Sequence, residues 1–144
     1  MRIRSYLERI PSPKQGFCHG DFHAANAHLT EGNTVTFFDF DCCGFGYRAY
    51  DIAIFKWDSR LMGKEKETER WEAFLRGYMG LRDLSESELQ ATNIFVGIRH
   101  IWLMGLHTSR GAEWGFGWID NQYFDRKIQF LKDWELECFV LETE

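Results

Sequence analysis

No apolar run in the 144 residues is long enough to cross a bilayer; the best candidate, Ile94 to Leu106, carries Arg99 and His100 and reads as a buried helix. The first ten residues, MRIRSYLERI, contain Glu8 and no continuous apolar centre, so no secretory leader is expected. Positive charge is also scarce. Lys and Arg number 17 against 22 Asp and Glu, and a net charge of -5 argues against a phosphate backbone as the main partner, which needs a basic surface to release counterions. Neither nucleic acid nor membrane is therefore an expected partner. The four cysteines have neither CxxC spacing nor the density of a disulfide scaffold, which places reduced thiols in a cytoplasm. Cys42 and Cys43 are adjacent, lack structural-zinc spacing, and are expected to be small apolar fillers.

A hydrophobic content of 44%, with 17% aromatics, is enough to build a core without staples, so residues 1–144 are expected to form a single domain. Arg2 to Ile10 is a short helical candidate that the prolines of Pro11 to Pro13 must end. After Arg48 the apolar spacing becomes helical. Arg48 to Arg60 and Glu67 to Gly80 are two helices, with the charged run Gly63 to Arg70 as a solvated entrance. A third helix begins at the capping box Ser85 to Glu88, runs to about Arg110, and is apolar on nearly every face, so it should be central. The last starts near Ile119 and sets Phe124, Ile128, Leu131, Trp134 and Cys138 in one stripe. His100 and His107 read as core histidines, and His23 and His28 as packing or loop residues. The loop Glu113 to Asp120 reads as packed aromatics.

Between Phe17 and Phe40 the pattern changes to short runs rich in Val, Thr and Phe around Glu31-Gly32-Asn33. If Gly32 and Asn33 form a two-residue loop, cross-strand partners sum to 65, as those two residue numbers do, and Asn26 faces Asp39. Opposed residues lie about 4.5 to 5.5 Å apart at Cα, so an amide oxygen and a carboxylate would converge. Two hard oxygens suit Mg²⁺, which takes its remaining ligands from phosphates and water. Asp21, five residues before Asn26, enters the same hairpin. This is the order of parts in phosphoryl transfer: an Asp, an Asn for one metal ion, then an Asp bridging metal to nucleotide. Glycine stands where HRD has arginine, and Asp41 where DFG has glycine.

With HGDFHAAN at His19 to Asn26, FFDFDCCGFGYR at Phe37 to Arg48 and AYDIA at Ala49 to Ala53, the sequence resembles the aminoglycoside phosphotransferase and choline kinase family. The resemblance implies a mainly helical α+β fold, the C-terminal lobe of a kinase-like phosphotransferase with a short catalytic hairpin. It implies that Asp21 accepts or orients the proton of a hydroxyl on a small-molecule substrate, while Asn26 and Asp39 hold Mg²⁺ on ATP. His19 would support the loop, Asp51 would brace it through backbone hydrogen bonds, and Asp41 would be a second metal ligand or simply solvated.

The glycine-rich loop and strand lysine of such kinases have no counterpart here, so the N-terminal nucleotide-clamping lobe reads as absent. Apolar surface left bare by it would favour self-association. Two other readings stay open. One is a non-catalytic lobe remnant acting as a binding or scaffold module. The other is an iron oxygenase triad of His19, Asp21 and His23, which needs a β-rich barrel that this largely helical pattern does not supply.

Overall fold

The computed structural model describes residues 3–11 and 13–140, so Arg2 of the first helical candidate and Ser12 between the two prolines lie outside the described residues. Helices dominate. The order is α1 (Ile3–Leu7), β1 (Gln15–Cys18), a 3-10 turn (Ala24–Asn26), β2 (Ala27–Leu29), β3 (Val35–Phe37), β4 (Gly44–Tyr47), α2 (Arg48–Leu61), α3 (Lys64–Met79), α4 (Glu86–Ser109), α5 (Gly111–Trp114), α6 (Asn121–Glu135) and a π-helical turn (Leu136–Val140). The first helix is shorter than its spacing suggests. Its end tightens through Arg9 N to Tyr6 O and Ile10 N to Leu7 O, both 3.2 Å, the habit of a fraying last turn.

The core is the contact of α2 with α4, closed by α6. Ala49, Ala53 and Trp57, each four residues after the last, put one stripe of α2 against Ala91, Phe95 and Val96 of α4, with Trp134 of α6 covering both. Three alanines let the backbones approach, and Trp134 Nε1 donates to Asn93 O at 2.8 Å. The capping box of α4 is complete: Ser85 Oγ accepts from Glu88 N, and Glu88 Oε2 accepts from Ser85 N. Burial on nearly every face is confined to the stretch Ala91 to His100 of α4; Glu86, Gln90, Ile101 and Trp102 are exposed. The stripe of α6 is rotated from the expected one. Tyr123, Phe130 and Trp134 carry its inner face, while Ile128 is exposed. The charged run opening α3 is not wholly solvated, because Glu67 is buried against Arg60 and Arg70 pairs with Asp58.

Two small antiparallel sheets sit on this helical body. β2 pairs with β3, and β1 pairs with β4 through Phe17 opposite Phe45, a non-local pairing that the spacing did not suggest. The β2–β3 register differs from the expected one by one residue. Ala27 pairs with Phe37 and His28 with Thr36, so partners sum to 64. Thr30 N donates to Thr34 O and Asn33 N to Thr30 O, which makes a three-residue loop of Glu31, Gly32 and Asn33. Asn33, not Gly32, takes the left-handed conformation, with φ of 58°. A turn followed by one left-handed residue is a standard hairpin closure, and the Thr30 hydroxyl, accepting from Thr34 N at 3.2 Å, favours it here. Asn26 therefore faces Phe38, whose N–H donates to Asn26 O at 3.1 Å, and Asp39 lies one residue further on.

Candidate functional site

The loop from His19 to Asn26 is tied down at several points. Asp51, in the first turn of α2, accepts from His19 N at 2.7 Å and from Gly20 N at 2.8 Å, one backbone donor on each carboxylate oxygen. His19 is buried, and both its ring nitrogens are committed: Nδ1 accepts from Asp21 N at 3.3 Å, which leaves Nε2 protonated to donate to Phe38 O at 2.9 Å. That excludes the oxygenase triad, since His19 has no lone pair left for a metal. Gly20 sits at φ of 80°, and a Cβ there would lie 2.1 Å from Cys42 O, so the loop packs backbone to backbone against the segment after Asp39. Further along, Ala24 N reaches Asp58 Oδ2 at 3.4 Å, and the Phe22 ring packs on Phe37, Phe55 and Phe74, anchoring the loop to the hairpin, α2 and α3.

The chemistry-bearing side chains gather on this frame. Buried Asn26 donates from Nδ2 to Asp21 O at 3.0 Å, closing the loop on itself and leaving its Oδ1 as the remaining acceptor. Asp21 Oδ1 accepts from Arg99 Nη2 of α4, while Oδ2 has only longer contacts, to His23 Nε2 at 3.4 Å and Asn26 Nδ2 at 3.5 Å. Asp39 adopts φ of 65°, a left-handed conformation that a non-glycine residue accepts at some cost, and such outliers gather at functional sites. Asp39 and Asp41 are exposed, and neither pairs with a cation among the described residues. Cys42 and Cys43 are exposed as well, so they are not apolar fillers. Partial burial of the sulfur pushes the Cys42 thiol up, and the carboxylates of Asp21, Asp39 and Asp41 add to that against the pull of Arg99. All three aspartates are therefore electrostatic neighbours of one thiol.

Asp39, exposed and without a cation partner among the described residues, and Asn26 Oδ1 are hard-oxygen donors, the ligand type that magnesium takes. Arg99 is the residue that sequence reasoning missed. Its one signal was a charge inside a helix apolar on nearly every face.

The sequence matches the model of the phosphotransferase enzyme family over residues 2–86. An uncharacterised protein of Deinococcus radiodurans is 42% identical over 127 residues, which cover 87% of this chain and 37% of the relative. An uncharacterised protein of Synechocystis is 32% identical over 143 residues, or 94% of this chain and 39% of the relative. The amicoumacin kinase hAmiN, solved in complex with AMP-PNP, Ca²⁺ and Ami, has the same fold, with a TM-score of 0.70 over 94% of this chain and 42% of its own, at 24% identity. The chain spans about two fifths of the length of each protein it matches. Among the described residues, no helix is long and apolar enough to cross a membrane.

Proposed function

Because this chain belongs to the phosphotransferase enzyme family, we propose that it is the catalytic-loop lobe of an ATP- and Mg²⁺-dependent kinase acting on a hydroxyl of a small molecule. The observation that carries this reading is the closure of the loop: Asn26 bonds back to Asp21 O while the backbone neighbour of Asp39 bonds to Asn26 O. That closure supports a site in which Asp21, Asn26 and Asp39 act in the order that phosphoryl transfer requires.

Each residue then has a role its surroundings support. Asp21 orients the acceptor hydroxyl and takes its proton at Oδ2, the carboxylate oxygen with no short contact. Asn26 and Asp39 would hold Mg²⁺, with Asp41 as an outer ligand, and the ion would supply neutralisation of the phosphate charge. Asp51 and His19 keep the backbone of the loop in place, which matters because most catalysis in this chemistry is positioning. The nucleotide analogue and divalent ion bound to hAmiN support the choice of ATP and a divalent cation.

The test is phosphoryl transfer from ATP by the purified protein, with Mg·ATP binding measured by calorimetry. Asp21→Asn should lower turnover by about 100-fold or more with nucleotide affinity little changed, whereas Asp39→Ala should lose Mg·ATP binding. Wild-type turnover in both variants would remove the assignment. Absence of Mg·ATP binding to the wild-type chain would favour the scaffold reading.

A further inference from the structure

The buried half of α4 ends at Arg99 and His100, two polar side chains in the densest part of the molecule. Arg99 is 4% exposed. Its guanidinium lies 5.6 Å from the Trp57 ring centroid and 4.8 Å from that of Trp102, and its Nη2 donates to Asp21 Oδ1 across 78 residues of sequence. Among the described residues Asp21 is its one carboxylate partner, and its Nε has no hydrogen-bond partner. Tyr50 adjoins the pair: burial raises its phenol pKa, and the charge and hydrogen bonding of Arg99 oppose that rise. A buried guanidinium with a single counter-ion cannot release it cheaply, because each would become an uncompensated charge.

We propose that Arg99 is the positioning residue of the catalytic loop: it clamps Oδ1 of Asp21 from behind and so presents Oδ2 alone to the acceptor hydroxyl. The inference rests on the phosphotransfer reading of Asp21. Its burial keeps Arg99 from touching phosphate or acceptor, so it acts only through the aspartate. The residue immediately before Asp21 cannot do this work. That residue is Gly20, held at positive φ with no room for a side chain against Cys42 O, and the clamp comes instead from a guanidinium on the distant helix α4 that lies against the rings of Trp57 and Trp102. The α2–α4 core and the reactive oxygen are thus mechanically one piece, and a carboxylate that must be held to a fraction of an ångström gains its rigidity from the best-packed part of the fold.

The test needs one readout independent of activity. In the wild-type chain the three-bond couplings from Asp21 Cγ to its backbone N and C′ should report a single χ1 rotamer. In Arg99→Ala they should average over rotamers. In the phosphoryl-transfer assay Arg99→Ala should lower turnover about 100-fold with the KM for ATP nearly unchanged. Guanidinium at tens of millimolar should restore at least about tenfold of that loss, and uncharged urea should not. Should Arg99→Ala fail to fold, Arg99→Lys keeps the charge without the planar fork, and it should fold and show averaged couplings. A single Asp21 rotamer without the arginine would overturn the proposal, as would a rise in turnover, which would make Arg99 a plug instead. If the wild-type protein transfers no phosphate, the functional reading fails while the couplings still decide the clamp.

Discussion

Gly20 and Asp51 form the smallest unit on which the loop depends. An alanine at position 20 must adopt φ of 80° and push its Cβ to 2.1 Å from Cys42 O, so Gly20→Ala should cost about 2 kcal/mol or more and lower Tm by roughly 5 to 10 °C in a thermal melt. Asp51→Asn leaves one acceptor oxygen for two backbone donors, and should cost about 1 to 3 kcal/mol while slowing phosphoryl transfer. A melt unchanged by either substitution would contradict the packing described. That His19, Asp21, Asn26 and Asp51 meet around one loop was legible in the sequence, because they stand in a run of fixed spacing. Arg99 was not. Its partner lies 78 residues away, and only folding brings α4 behind Asp21. Cys42 and Cys43 were misjudged for a related reason: small size suggests burial, but both are exposed, in a loop that meets Gly20 chiefly through the Cys42 carbonyl.

Among the elements, the helices were the most readable, because period and caps are local signals; α4 carries its capping box where the sequence places it. The hairpin was less so. A glycine followed by asparagine suits a two-residue loop, but a three-residue loop with Asn33 left-handed competes, and the threonines flanking it decide the matter. The two closures respond differently to substitution. Asn33→Gly should be neutral or stabilise by up to about 1 kcal/mol, and Gly32→Ala should be tolerated, since Gly32 has ordinary φ and open space. A strongly destabilising Gly32→Ala would restore the shorter loop. Placement of Asp39 one residue past the partner of Asn26 makes its left-handed turn, rather than strand alternation, the feature that sets its direction. At the start of α4, burial pushes Glu88 up, yet hydrogen bonds from Arg48 and Ser85 outweigh it and hold the carboxyl low. That contribution is present above the ordinary glutamate pKa of about 4.3 and is lost as pH falls below it. Removing one partner of this buried pair, as in Glu88→Gln, should cost about 3 kcal/mol at neutral pH and flatten the acid limb of the melt.

For the molecule as a whole, pH stability should show a second, higher window. His100 is buried, accepts from Trp57 Nε1 at 3.0 Å and stacks on Phe130; desolvation chiefly, with the charge of Lys127, lowers its pKa to about 4. An imidazole depressed in the folded state stabilises above its unfolded value near 6.5, and that stability drains away between there and about 4, amounting to roughly 3 kcal/mol. His100→Gln should remove this slope in melts taken between pH 6.5 and 4.5, without touching the lower window of Glu88. Several large apolar side chains are exposed. Phe17 and Phe45, paired across β1 and β4, are 71% and 79% exposed, and Leu29, Val35, Phe38 and Phe40 are exposed as well. Concentration-dependent sedimentation is the expected result for the chain on its own. The expected hairpin register, from which the convergence of Asn26 and Asp39 was argued, is off by one residue; the family assignment stands instead on the match over residues 2–86. Its most direct test is an amide NMR spectrum of this chain titrated with Mn²⁺ and ATP together. Paramagnetic broadening centred on Asn26 and Asp39, and abolished by Asp39→Ala, is the expected result, whereas broadening centred elsewhere, or indifferent to that substitution, would contradict the account.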